Sequence, residues 1–299
     1  MRKPSFSQAE ILAILENRMA NVSGFAPIAE GEESQAFRFW SEGKTYIVRV
    51  NEAMEGFQKD AFAHRRFARH NLPIPEVFHI GPIGDGFYCI SENLPGVTLQ
   101  DLHPEELPPL LGPVARTLDA IAESDLDGIS GFGPFNAQGV GSYESWRHFL
   151  TGIASPRHYH WNPVDRFVDI RHVHQLLELL QRLSVYCPET RHLLHGDFGS
   201  NNVLTNGSEI TGVIDWSEAL IGDPLYDVAN ILFWSTWLEC MRQQARYFEG
   251  CLSSSSEQSN RLLCYQLRIG LAEVYGNAAE GKAKAAAWAL SRCSELARQ

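Results

Sequence analysis

The run His195-Gly196-Asp197-Phe198-Gly199-Ser200-Asn201-Asn202 sets a carboxylate five residues ahead of an amide. Ile214-Asp215-Trp216 adds a second carboxylate at the end of an apolar stretch. Phosphoryl transfer from a nucleotide to an alcohol uses that set. One carboxylate accepts the proton of the attacking hydroxyl, while an amide and another carboxylate hold Mg²⁺ against the phosphates. A loop following a short apolar strand would place Asp197 to orient and deprotonate a substrate hydroxyl. Asn202 is spaced to reach Mg²⁺ from the same loop, and Asp215 could supply the anionic oxygen that this hard cation prefers. Taken singly, Asp197 reads as a turn residue, Asn202 as a turn-stabilising amide and Asp215 as a helix cap. Their order, with apolar strands between them, favours the catalytic reading. His195 is expected to hold the loop by hydrogen bonds rather than to move a proton.

Further candidates flank this set. Arg49, in Tyr46-Ile47-Val48-Arg49-Val50, is a cation among apolar neighbours. It would bind nucleotide phosphates and be held by an acid beyond the strand, with Asp60 the first candidate and Glu52 and Glu55 as alternatives. The loop Glu30-Gly31-Glu32-Glu33-Ser34-Gln35 could cover phosphates through backbone N–H groups and the Ser34 hydroxyl. It has neither GxGxxG nor a P-loop signature, and its glutamates would have to turn outward. Between Glu189 and Glu239 the carboxylates face a single cation, Arg191, which suits a basic acceptor. Within that stretch Asn201 and Glu218 are candidate substrate contacts. Asp223 and Asp227 are expected to cap and brace a helix. Trp234 and Trp237 lie three apart on one expected helix and could form an apolar wall under a sugar ring, although core packing is the default for that spacing. His158, His160, His172 and His174 lack supporting ligands nearby and read as loop or surface residues.

The elements that must position these groups follow from pattern. Ser7-x-x-Glu10 opens a helix to about Met19. Strands are expected at Gln35–Trp40 and Thr45–Val50, joined by a hairpin turn at Ser41-Glu42-Gly43-Lys44, then a helix over Phe57–His70 stopped by Asn71-Leu72-Pro73. Strands at Glu76–Ile80 and Phe87–Ser91 complete a sheet-based part, and Glu92–Gly96 connects it to a larger helical part. There, helices are expected near Pro104–Glu123, Tyr143–Gly152, Val168–Tyr186 and Leu225–Trp234. Short strands at Leu193–Leu194, Val203–Thr205 and Ile210–Ile214 bracket the Asp197 segment.

Composition sets the limits. With 299 residues, 44% of them hydrophobic and 20% charged, the chain can bury a sizeable core in one large domain or two lobes. Glu10 and Glu16 interrupt the first apolar stretch, which argues against a secretory leader, and no uncharged apolar run reaches the roughly 20 residues that span a bilayer. Its formal net charge of -11 disfavours nucleic acid and anionic membranes as partners. The six cysteines form no CxxC pair, so reduced thiols in a cytoplasmic protein are expected.

His195-Gly196-Asp197-x-x-x-x-Asn202, Ile214-Asp215-Trp216 and Gly222-Asp223-Pro224-x-x-Asp227 together resemble the aminoglycoside phosphotransferase family, relatives of protein kinases. Further islands, among them Leu72-Pro73-Ile74-Pro75-Glu76-Val77, Gly131-Phe132-Gly133-Pro134-Phe135 and Leu267-Arg268-Ile269-Gly270-Leu271, are similar to its hygromycin-phosphorylating branch and extend the resemblance over essentially the whole chain. The resemblance implies an α+β, bilobal protein-kinase-like fold. Residues 1–92 would form a small antiparallel-sheet nucleotide lobe, and 93–299 a larger, mainly helical catalytic and substrate lobe. It also implies ATP (with GTP possible) and Mg²⁺ as cofactors, and transfer of the γ-phosphoryl group to a hydroxyl of a cationic aminoglycoside. Asp197 would then be the base, Asn202 and Asp215 the metal ligands, and Arg49 the replacement for the family's phosphate-binding lysine. Ser91, Glu92 and Asn93 would lie in the hinge that meets adenine. A monomer is expected. The alternatives are a kinase of another small alcohol (a macrolide, choline-like compound or sugar), or a catalytically silent nucleotide- or antibiotic-binding protein.

Overall fold

The computed structural model describes residues 6–28, 34–253 and 255–298, so Glu30–Glu33 of the candidate phosphate loop lie outside it. The chain forms two compact units, Met1–Val97 with Val203–Ser217, and Thr98–Asn202 with Glu218–Gln299.

In the first unit, α1 (Gln8–Arg18) begins with the expected capping box. The Ser7 hydroxyl accepts the Glu10 N–H at 3.3 Å, and the Glu10 carboxylate accepts the Ser7 N–H at 2.9 Å. An antiparallel sheet follows in the order β1-β2-β3-β5-β4, comprising β1 (Ser23–Pro27), β2 (Gln35–Ser41), β3 (Lys44–Asn51), β4 (Val77–Ile83) and β5 (Gly86–Glu92). The β2–β3 turn uses Glu42 and Gly43, both at positive φ (49° and 80°), whose twist suits a two-residue hairpin. Alternation along β3 sends Val48 and Val50 into a core with Phe37, Phe39, Ile90, Ile11 and Leu15. Arg49 therefore points to the opposite face, where it meets α2 (Glu55–Phe67). The hairpin Val203–Thr205/Ile210–Val213 belongs to this unit, and the Val213 N–H bonds the Pro73 carbonyl at 2.8 Å.

The second unit packs α3 (Leu111–Ala122), α4 (Trp146–Gly152), α5 (Ile170–Leu183), α6 (Leu225–Trp234), α7 (Glu239–Cys251), α8 (Ser256–Ala279) and α9 (Ala283–Leu296). Its core centres on Trp146, Phe149, Leu180, Phe233, Tyr265 and Leu271. A small antiparallel sheet joins Gly141–Tyr143, Phe132–Phe135, Leu220–Gly222 and His192–Leu194. Among the described residues no helix is long and apolar enough to cross a membrane.

Several element boundaries differ from expectation. The helix expected from Pro104 begins at Leu111, because Pro108 and Pro109 have no N–H to donate to the preceding turn, which leaves a 3₁₀ turn at Pro108–Leu110. Tyr143 lies in a strand, and Ser145 caps α4 by accepting the His148 N–H at 3.1 Å. Trp237 lies beyond the end of α6, in the turn that follows. Strand β1 carries Gly24 and Pro27, poor strand formers, and its pairing with β2 decides its conformation.

Gly270 shows how tightly α8 is packed. A Cβ there would overlap the Cys293 sulfur and lie 2.6 Å from the Phe233 ring. In an open helix Gly→Ala stabilises by about 1 kcal/mol. Here overpacking is expected to reverse the sign, and Gly270→Ala should destabilise by about 1–3 kcal/mol in urea melts. A raised midpoint would show that α8 can shift away from its neighbours.

Candidate active site

The His195–Asn202 loop is built from the second unit. It leaves the strand His192–Leu194 and is fastened at once to Asp227 in the first turn of α6. Asp227 Oδ2 accepts the His195 N–H at 2.9 Å, and Oδ1 accepts the Gly196 N–H at 2.8 Å. Gly196 sits at φ 84°, where a Cβ would overlap the Glu218 carbonyl, so a side chain is excluded twice over. The Asp197 N–H donates to His195 Nδ1 at 3.3 Å, which makes His195 a support of the loop. Farther along, Asn230 donates to the Phe198 carbonyl at 3.4 Å and the Gln100 N–H to the Ser200 carbonyl at 3.0 Å. Asn202 closes the loop on itself, Nδ2 donating to the Asp197 carbonyl at 2.9 Å and to Asp197 Oδ2 at 2.8 Å. With the amide nitrogen so committed, Asn202 Oδ1 is the oxygen left to face a cation.

The first unit carries Arg49, Asp60 and Asp215. Of the three acids offered by the sequence for Arg49, Asp60 makes the ion pair, through Oδ2 and Nη2. The guanidinium also lies 5.3 Å from the centre of the Phe57 ring. Burial pushes the Asp60 carboxyl up despite the opposing pull of Arg49. For Arg49, burial works against the charge, but Asp60, Cys89 and Asp215 outweigh it and hold the guanidinium protonated. Asp60 Oδ1 accepts the Trp216 N–H at 2.8 Å, so the same carboxylate fastens the segment that contains Asp215. Asp215 adopts φ 59°, unusual for a residue with a side chain. Its Oδ1 accepts the Ser217 hydroxyl at 2.7 Å, leaving the second oxygen for a cation. An amide oxygen on Asn202 and a carboxylate oxygen on Asp215 are hard donors that fit Mg²⁺.

The other expected residues are placed as follows. Ser34 accepts Asn51 Nδ2 at 3.3 Å. Ser91 is buried at the end of β5, Glu92 is exposed and accepts the Glu76 N–H, and Asn93 donates to the Thr45 hydroxyl at 3.1 Å. In the second unit Asn201 and Glu218 are both exposed, and Asn201 accepts the Ser200 hydroxyl at 2.9 Å. Trp234 and Trp237 meet edge to face at 6.4 Å although only Trp234 is helical. Trp237 is 55% exposed, so the pair is no ordinary core contact. Trp288 of α9 escaped the sequence reading. It stacks on Trp234 at 5.1 Å and meets Trp237 at 4.7 Å, completing an aromatic platform. No local pattern signals it, since Trp288 stands alone in an alanine-rich helix more than fifty residues away. The loop-holding role of Asp227 was visible only as a helix brace in Gly222-Asp223-Pro224-x-x-Asp227.

An antiparallel sheet backed by an Arg–Asp pair, with a helical unit carrying the His195–Asn202 loop, is the kinase-like aminoglycoside phosphotransferase fold. The chain belongs to the phosphotransferase enzyme family (APH), whose model matches residues 24–255. It is 48% identical to the hygromycin-B 4-O-kinase of Escherichia coli over 299 residues, which span 100% of this chain and 87% of that protein. The crystal structure of aminoglycoside phosphotransferase APH(4)-Ia matches with a TM-score of 0.92 at 47% identity, covering 98% of this chain and 99% of that one. A thermostable mutant of APH(4)-Ia in ternary complex with AMP-PNP and hygromycin B matches at 0.91 and 49% identity, covering 97% and 98%.

Asp227 gives this site a pH signature. Burial raises its carboxyl to about 6, against the lowering effect of the His195 and Gly196 N–H groups. Because the folded value lies above the unfolded one, its contribution to stability is present below about pH 4 and is lost as pH rises through about 6; it amounts to about 3 kcal/mol. Activity runs the other way, since the neutral acid no longer accepts both loop N–H groups. The turnover rate should fall below about pH 6 without a matching fall in melting temperature. Asp227→Asn should remove that limb and lower turnover throughout. A limb unchanged in Asp227→Asn would assign it to another group.

Proposed function

We propose that this chain is an ATP-dependent aminoglycoside O-phosphotransferase that phosphorylates the 4-hydroxyl of hygromycin B and so confers resistance to it. The observation that carries the reaction type is the Asp197–Asn202 arrangement. A carboxylate is held for the acceptor hydroxyl, and the adjacent amide is turned so that its oxygen remains for a metal. The choice of acceptor rests on full-length similarity to the hygromycin-B kinase and on acidic character that suits a polycation.

In this reading residues 1–92 bind the nucleotide and 93–299 carry catalysis and the acceptor. Asp197 accepts the hydroxyl proton as the acceptor oxygen bonds to the γ-phosphorus and the bond from that phosphorus to the β–γ bridging oxygen breaks. Asn202 and Asp215 would hold Mg²⁺, which neutralises the phosphate charge when bound. Arg49 and Ser34 engage the phosphates, with Asp60 orienting Arg49. Ser91, Glu92 and Asn93 meet adenine, and GTP remains an alternative donor. Asn201, Glu218 and the Trp234–Trp237 platform, extended by Trp288, receive the aminoglycoside. The protein acts as a cytoplasmic monomer.

Mass spectrometry of an aminoglycoside panel incubated with the protein and MgATP is expected to show one added phosphoryl group on hygromycin B. Asp197→Ala should lower turnover by about 10²–10⁴-fold while retaining nucleotide binding. A phosphoryl group gained only by a macrolide, choline-like compound or simple sugar would move the acceptor elsewhere on the same fold. Turnover near wild type in Asp197→Ala would remove it as the base.

A further inference from the structure

Asp215 occupies a backbone conformation that costs about 1–3 kcal/mol for a residue with a Cβ, so its neighbours must hold it there. The holding surface is one stripe of α2. Gly56, Lys59, Asp60 and Phe67 recur at helical spacing and all meet residues 216–217. A Cβ on Gly56 would lie 3.3 Å from the Ser217 Cβ, so this glycine lets the segment come close. Asp60 takes the Trp216 N–H, and Phe67 packs on the Trp216 ring at 6.4 Å. Lys59 is only 4% exposed, and its ammonium donates to the Ser217 carbonyl. Ser217 in turn gives both its hydroxyl, at 2.7 Å, and its N–H, at 3.4 Å, to Asp215 Oδ1.

We propose that Lys59 is a positioning residue for the metal carboxylate. By gripping the Ser217 carbonyl it fixes the Ser217 hydroxyl on Asp215 Oδ1, and that bond selects the rotamer whose other oxygen faces the cation. The inference rests on the assignment of Asp215 as a metal ligand. Its chemistry explains why α2 buries an ammonium at this point. A neutral side chain would fill the space but would offer the half-buried Ser217 carbonyl no donor. Asp60 next to it serves Arg49 and Trp216, so consecutive residues of α2 tie the phosphate-binding cation and the metal carboxylate to one rigid helix. Ligand-orienting groups of this kind change metal affinity without touching the metal.

The test uses the full chain and calorimetric titration with AMP-PNP, once with Mg²⁺ and once with EDTA. In the wild type Mg²⁺ should strengthen binding. Lys59→Met is expected to reduce that gain about tenfold and leave affinity in EDTA unchanged, the scale of an outer-shell loss. Ser217→Ala should reproduce the loss, and the double variant should be no worse than Lys59→Met, because both act through one link. If Lys59→Met fails to fold, Ser217→Ala carries the test alone. Equal loss with and without Mg²⁺, or a lowered melting temperature with the gain intact in both variants, overturns the proposal. Asp215→Asn separates the two levels of inference. Loss of the gain there with retention in Lys59→Met and Ser217→Ala defeats the role of Lys59 only, whereas retention in Asp215→Asn defeats the metal assignment and this proposal with it.

Discussion

Each functional loop hangs on an aspartate that has exchanged water for backbone N–H groups. Asp227 holds the start of the Asp197 loop through His195 and Gly196, and Asp60 holds the Asp215 segment through Trp216. Asp223, one turn before Asp227, takes the Leu225 N–H, the Arg261 guanidinium and the Tyr265 hydroxyl, which ties the start of α6 to α8. A buried carboxylate is costly unless each oxygen finds donors, and removing it would strand those donors in turn. The same bonds that make burial tolerable therefore dictate where Asp197 and Asp215 stand.

The two loops reach a common result by different local means. Around Asp197, geometry comes from glycine: Gly196 allows a turn that a Cβ would block. Around Asp215 a residue with a side chain is forced into left-handed backbone, and a helix face holds it there. In each case part of the functional group is bound by a neighbour so that the remainder is directed. Asn202 spends its nitrogen on Asp197, and Asp215 spends one oxygen on Ser217. Preorganisation of this kind is set before any ligand arrives.

What could be read from sequence was what depends on short spacing. The capping box at Ser7 and the hairpin turn within Ser41-Glu42-Gly43-Lys44 are local, and both have the expected form; the Asp197–Asn202 interval is equally local and sets both residues on one loop. Arg49 and Asp60 were legible as a strand and a helix that must pack, although Glu52 and Glu55 lie nearer to Arg49 in sequence. Tertiary dependence hid the rest. Strand β1 exists because β2 pairs with it, and Leu111 rather than Pro104 begins α3 because two prolines intervene. Trp288 joins Trp234 only through the packing of α9 beside α6, which Arg292 secures by bonding the Leu232 and Phe233 carbonyls. Nothing in the sequence ties Lys59 to Ser217, whose carbonyl it meets across 158 residues.

Arginine at position 49 is the point at which these constraints narrow the chemistry most. Burial pushes the Asp60 carboxyl up, so keeping it charged calls for a cation that cannot give up its proton. A lysine ammonium shifts readily when desolvated, whereas guanidinium remains protonated throughout the working range. One donor of Arg49 is committed to Asp60, yet the group has five, and 22% of the side chain remains exposed. Pairing therefore orients the guanidinium without exhausting it, and the planar fork keeps donors for an oxyanion. An ammonium tethered to Asp60 at the same reach would present a point charge with fewer directions to offer. In the proposed phosphate-binding role, the Arg–Asp pair would stand in for a Lys–acid pair by moving reach from the carboxylate to the cation, with directionality towards phosphate as the gain.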